Sequence, residues 1–373
     1  MSNISTPSNF ISLTPNATGT GTRVPFTLLS PAAPQEKKLA VLADTDFPEA
    51  RWNVGGVFLY EQARTILCDF IQENFDRSNF IAETHGAPPC IWTLEWFQSR
   101  PLTPPGDIAA TLKKIAAKPA HFVLQFDNPY ISEEMLSDAI GNTLLSYAAQ
   151  MPRASVSVAS GRLADYIRRK FPTLSVRAGA NKAIVENARG NADYYVEAAK
   201  RFSVVSLHPD DISNLELLKK LAETSSPEKF EITVNDSCLR NCPVRERHLD
   251  ALAKIRQAPW NAEPLRERHQ ILAEAKCEDV SVQSGPGAPC AALLSREELS
   301  AIYALGFRRF RLQAETLRSE ISFFWSALRW LFSAKPEHWH YFGLIASSLI
   351  TKIKEPVPVL PTGLSPFVKR KYD

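Results

Sequence analysis

The chain has 373 residues, 45% hydrophobic and 22% charged, with 43 basic against 40 acidic side chains and a net charge of +3. That length admits one large domain or two medium ones, and the composition is that of a globular protein with a core. The near balance of charge excludes a histone-like nucleic-acid binder and leaves no strong nucleic-acid signature, only room for a local basic groove.

Residues 1–36 are rich in Ser, Thr, Asn and Pro without sustained periodicity, and read as a disordered leader. They lack the basic start and apolar run of a secretory signal, and no 18 consecutive apolar residues occur, so no membrane span is expected. Six cysteines without a signal predict a reducing, cytoplasmic setting, where clustered thiols serve as metal ligands or catalytic groups more often than as disulfides.

From Lys38 onward short β-branched runs alternate with amphipathic segments. Strands are expected over Leu39–Ala43, Phe80–Thr84, Phe122–Phe126, Ser155–Ala159, Leu174–Ala178, Val204–Leu207, Phe230–Val234 and Phe307–Leu312. Apolar residues at three- and four-residue spacing predict helices over Glu61–Asn74, Ile108–Ala117, Ser132–Gln150, Gly161–Phe171, Ala192–Phe202, Asp211–Thr224, Arg245–Ile255 and Arg296–Leu305. Ser132 and Asp211 carry the marks of helix starts.

Eight strands alternating with helices predict an α/β fold of the (β/α)8 TIM-barrel type over 37–335, with a doubly wound open sheet as the alternative. No Gly-x-Gly-x-x-Gly and no phosphate-binding Gly-x-x-x-x-Gly-Lys loop follows a strand, which favours the barrel. Polar residues also recur just past the strand ends, among them Asp44, His85, Asp127, Asn181, His208, Asp236 and Gln313. A barrel gathers those ends on one face, where its active sites sit. Residues 256–290 interrupt the rhythm as a long loop insert, and 336–373 read as a C-terminal helical extension with a basic tail.

The sharpest motif is Val234-Asn-Asp-Ser-Cys238-Leu-Arg-Asn-Cys242-Pro-Val-Arg-Glu-Arg-His248. Two thiols four apart, leaving a strand and entering a helix, can point at one metal, and thiolates select zinc or iron–sulfur centres. The helix start and the neighbouring Arg240, Arg245 and Arg247 favour the thiolate form. Cys277 and Cys290 on the insert can complete a four-thiolate set, with Cys90 as another source of the fourth ligand. Cys68 lies in an apolar helical stretch and reads as core. Asp44, His208 and Asn235 are the candidate catalytic groups on the loop face, while turn and cap roles account for such residues equally well. No His-Glu-x-x-His, Gly-x-Ser-x-Gly or paired-carboxylate signature occurs.

The run from Phe230 to His248, with Cys290-x4-Ser-Arg-Glu-Glu-Leu and Gly306-Phe-Arg-Arg-Phe-Arg-Leu-Gln313, resembles the collagenase-like peptidase family. That family includes ubiquinone-biosynthesis accessory proteins and RNA-hydroxylation proteins. The resemblance implies a barrel and, in several branches, a [4Fe–4S] cluster, whose ligands here are Cys238, Cys242 and Cys290 with Cys277 as fourth. It departs where Arg311-Leu-Gln-Ala-Glu315 replaces the Lys-Ile-Glu-Gly-Arg step that follows the family's last strand. Three functions follow: an iron–sulfur barrel supporting hydroxylation or a related redox modification, a peptidase-like hydrolase without a cluster, and a non-catalytic binding module. The substrate stays open among small molecule, RNA and peptide, and a protein partner is compatible with the third function.

Overall fold

The computed structural model describes residues 45–74, 81–94, 105–258, 262–274, 291–314, 320–332 and 339–353. Eight parallel strands close into a barrel: β1 (Arg51–Val54), β2 (Ile81–Gly86), β3 (His121–Phe126), β4 (Ala154–Val158), β5 (Ser175–Ala178), β6 (Val205–Ser206), β7 (Phe230–Thr233) and β10 (Arg309–Leu312). The ring closes where β1 pairs with both β10 and β2, Asn53 lying beside Arg311 on one side and Glu83 on the other. A short antiparallel pair, β8 (Asn235–Leu239) with β9 (Ala291–Leu293), stands outside the ring.

The expected first strand is corrected. Leu39–Ala43 lies outside the described residues, and Arg51–Val54 fills the first place in the ring. Its Arg-Trp-Asn-Val pattern alternates like every other barrel strand, with Trp52 and Val54 buried on the outer face and Asn53 on the inner one. The outer faces carry the core. Trp52, Phe122, Leu124, Val156, Phe230 and Phe310 are fully buried against the surrounding helices. The Trp52 and Phe310 rings lie 5.5 Å apart on neighbouring strands.

The inner face is polar where a barrel of this type ordinarily packs Val, Ile and Leu. Glu83 accepts two hydrogen bonds from Arg177, at 2.6 and 3.1 Å, and a third from Arg309 at 2.5 Å. Asn53 donates to Glu231 at 2.7 Å and meets His85 Nδ1 at 2.8 Å, while Ser206 donates to the other Glu231 oxygen at 3.0 Å. Burial alone raises the Glu83 carboxyl, but the two guanidinium groups overcome it and hold the acid at about 2. Glu83 is thus ionised, paired and almost wholly shut away from solvent.

Helices wrap the ring. The Asp211 start is corrected: α7 (Leu215–Thr224), which among the described residues follows the helices at Glu61–Asn74, Pro105–Ala116, Ala139–Ala148, Gly161–Lys170, Ala180–Val185 and Ala192–Arg201, is capped by Asn214. Asp211 instead accepts from Tyr195 Oη at 2.7 Å and from Gly190 N, tying the β6 loop to the preceding helix. The Ser132 start differs too, since its hydroxyl bonds Glu134 while Asp138 caps Ala139–Ala148. α8 (Arg245–Gln257), ahead of the insert, packs against α9 (Ala262–Glu274) within it. After α10 (Arg296–Ala304), the apolar α11 (Glu320–Leu331) and α12 (Trp339–Ile350) pack together over Glu61–Asn74, as expected of extra C-terminal helices. No described helix is long and apolar enough to cross a membrane.

Candidate functional site

The chain turns sharply after β7. Asn235 is the pivot, its side-chain amide donating to the Gln313 carbonyl at 2.8 Å and accepting from the Gln313 N–H at 2.7 Å. Both ends of that amide are therefore used to pin β8 to the end of β10. Asp236 then accepts the Cys238 N–H at 2.9 Å, a side-chain-to-backbone turn that sets the first cysteine. Asn241, in the left-handed region at φ 54, reverses the chain between the two cysteines, a conformation that Asn tolerates better than most residues.

Side chains from distant loops hold this turn. Asp210, just past β6, accepts the Asn241 N–H at 2.8 Å and Arg245 Nη2 at 2.9 Å. Arg245 Nη2 also donates to the Leu239 carbonyl. On the outer flank Arg240 bonds Ser213 at 2.9 Å and forks onto Glu298 at 3.2 and 3.1 Å. Of the three arginines in the motif, Arg245 clamps the turn through Nη2 and lines the same cavity as Cys238, Arg240 holds the outer flank, and Arg247 pairs with Glu274 at the surface.

The two sulfurs meet. Cys238 donates its S–H to Cys242, and that hydrogen bond, opposed by burial and aided by the Val244 N–H and the Arg245 charge, lowers the Cys242 thiol to about 6. The same hydrogen bond, joined by burial and by Asp236, pushes Cys238 well above its ordinary value. The pair holds one thiolate, on the more accessible Cys242, at the start of a helix that has no side-chain cap.

Cys238 and Arg245 form part of the wall of a cavity of about 110 Å³ in the barrel mouth. Asp127 and Asn181 line it from the β3 and β5 ends, Arg311 closes its floor, and Ile184, Leu249 and Leu252 give it one apolar side. Burial raises the carboxyl groups of both Asp127 and Asp236, which each accept a backbone N–H. The space is well below the ~300 Å³ at the lower end of drug-sized ligand pockets, so it takes a small group.

His208 stands just behind this wall. Its Nδ1 accepts the Asp210 N–H at 3.0 Å, and burial, then the Arg245 charge, lowers the imidazole to about 4, so it is neutral. Pro209, its neighbour, is the residue that reaches the cavity. Asp44, Cys277 and Cys290 lie outside the described residues. Asp46 pairs with Arg296 at 2.7 Å on the outside of the barrel. Cys90 is buried in a turn closed by Thr93, and burial raises Cys68 in its helix. Among the described residues no three His, Cys, Asp or Glu side chains gather to hold a metal ion.

Asp210 and Arg311 were not legible as site residues. The acid sits in a His-Pro-Asp-Asp turn that reads as a helix start, and Arg311 sits inside a strand. The signal for Arg311 was the alternation Arg309-Phe-Arg311, paralleled by Glu83-Thr-His85 and Ser155-Val-Ser157, which marks a polar barrel interior.

Fold and site together define a (β/α)8 barrel with a paired-thiol turn at its mouth. No protein-family model matches the chain, and no curated protein matches it. Among solved structures, one titled as the U32 peptidase Mk0906 is similar with a TM-score of 0.42 and 15% identity, covering 71% of this chain and 92% of that one.

Proposed function

We propose that the chain is a redox barrel protein that carries a [4Fe–4S] cluster on Cys238, Cys242, Cys277 and Cys290. In this reading it supports hydroxylation or a related redox modification of a group held in the mouth cavity. The observation that carries it is the Cys238–Cys242 contact on the cavity wall, with a buried guanidinium beside it. The donor set fits the group in its described half. Two thiols share one point, the Val244 N–H is directed at a sulfur, and Arg245 Nε and Nη1 are buried without a partner. An anionic thiolate centre is what such donors match.

For the other half, Cys290 directly precedes Ala291, the residue whose strand pairs with β8 at Leu239, one position from Cys238. When bound, a cluster supplies one-electron transfer at the cavity edge. The chain's own residues do the rest. Asp210 fixes the turn, Arg245 offsets negative charge, and Asp127, Asn181 and Arg311 offer hydrogen bonds to the substrate.

Protein purified without oxygen should contain about four irons and four acid-labile sulfides per chain, and Cys238→Ala should lose most of them. One zinc and no sulfide would make the same thiols a structural staple. Iron content unchanged by Cys238→Ala would overturn the reading.

A further inference from the structure

Arg311 lies on the floor of the mouth cavity and is 6% exposed. Its Nη2 donates to Gln125 Oε1, its single hydrogen bond among the described residues. Glu231 comes to 3.6 Å of Nη1, too far for a hydrogen bond, and its oxygens already accept from Asn53 and Ser206. A guanidinium carries five N–H donors and cannot give up its proton, so one buried this deeply ordinarily spends most of them.

The neighbouring side chains repeat the pattern. A guanidinium can only donate, so Gln125 turns Oε1 toward Arg311, which leaves its Nε2 as a further donor. Ser157 stands in register with Gln125, and Thr233 with Arg311. Both are buried, both line the cavity, and neither hydroxyl has a hydrogen-bond partner among the described residues. The floor therefore offers more donors than the described residues accept.

Charge points the same way. Glu83 and Glu231 face the guanidinium groups of Arg177, Arg309 and Arg311. Burial lowers the His85 and His121 imidazoles and leaves them neutral, so one positive charge of this interior is unanswered. Asp127 and Asp236 on the cavity wall answer it poorly, because burial raises both carboxyl groups. A single excess charge in a buried site suits a monoanion, whereas a dianion would bring a second charge with no partner.

We propose that Arg311 anchors a monocarboxylate subsite on the floor of the mouth cavity. The Gln125 amide and the Ser157 and Thr233 hydroxyls complete the hydrogen bonds to the carboxylate, and Leu249 and Leu252 cover a short apolar tail. This assignment takes from the reading above only that the cavity holds the substrate, whose class it names, and it requires no cluster.

The test is isothermal titration calorimetry on the full chain, with iron measured on each sample. The probes are acetate, butanoate, butanamide, succinate and inorganic phosphate. Butanoate should bind wild type, more tightly than acetate by about fourfold for each added methylene that the apolar side buries. Butanamide has the same shape without the charge and should bind about tenfold more weakly. Arg311→Met should weaken butanoate by about tenfold or more and bring it level with butanamide. Because that change also removes a charge beside Glu231, Thr233→Val serves as a second variant; it keeps size and charge, removes one donor, and should weaken butanoate about fivefold.

Butanoate binding to wild type that contains no iron supports the subsite while the cluster reading falls. Wild type that carries iron and binds neither butanoate nor acetate overturns the subsite alone, and protein with neither iron nor binding overturns both. Equal binding of butanoate and butanamide overturns the monocarboxylate assignment, as does tighter binding of succinate or phosphate than of butanoate. Butanoate binding unchanged in both variants would place the ligand away from Arg311 and overturn it as well.

Discussion

Replacing Glu83 by Gln tests the charged barrel interior directly. The side chain keeps its size, so the change removes charge and one acceptor without opening a cavity. In the native protein the Glu83 carboxyl is held at about 2 rather than 4.5, because Arg177 and Arg309 outweigh the cost of its burial. A displacement of that size corresponds to about 3 kcal/mol, in line with the ~3–5 kcal/mol expected when one partner of a buried ion pair is deleted. The sign follows from the lowered acid. Its stabilisation is complete above about 4.5, the unfolded value, and is lost as pH falls through about 2. Guanidinium unfolding of wild type and Glu83→Gln should thus differ by about 3 kcal/mol at pH 7, with the gap closing as the titration approaches pH 2. A difference under about 1 kcal/mol at pH 7, or one that ignores pH, would refute the claim that this network is a paired, ionised part of the core.

Two further outcomes follow from local geometry. A Cβ added at Gly141 would lie 2.3 Å from the Trp92 ring, which is itself fixed by its Nε1 bond to the Met135 carbonyl. Gly141→Ala should therefore destabilise by about 1–3 kcal/mol by overpacking, although the same change in an open helix stabilises by up to ~1 kcal/mol. A thermal or denaturant midpoint at or above wild type would refute it. In metal-free protein, Cys242 alkylation by iodoacetamide should rise with a midpoint near pH 6, and Cys238→Ala should move it upward by removing the S–H donor. A midpoint that Cys238→Ala leaves in place would show that the thiol pair does not govern Cys242.

Local chemistry in the sequence was enough for the barrel. Strand patterns such as Phe122–Phe126 and Ser155–Ala159 overlap β3 and β4, because alternation and β-branching report on the strand itself. The paired cysteines were legible for the same reason, being four residues apart in one turn. Tertiary structure decided the rest. Which short run opens the barrel depended on closure: Arg51–Val54 is only four residues long, and its place is fixed by pairing with β10, more than 250 positions away. Asp210 meets Arg245 across 35 residues and Glu83 meets Arg309 across 226, so no local pattern carries either contact. Periodicity tells which face a side chain takes, while the partner that neutralises a buried charge is chosen only when distant strands come together.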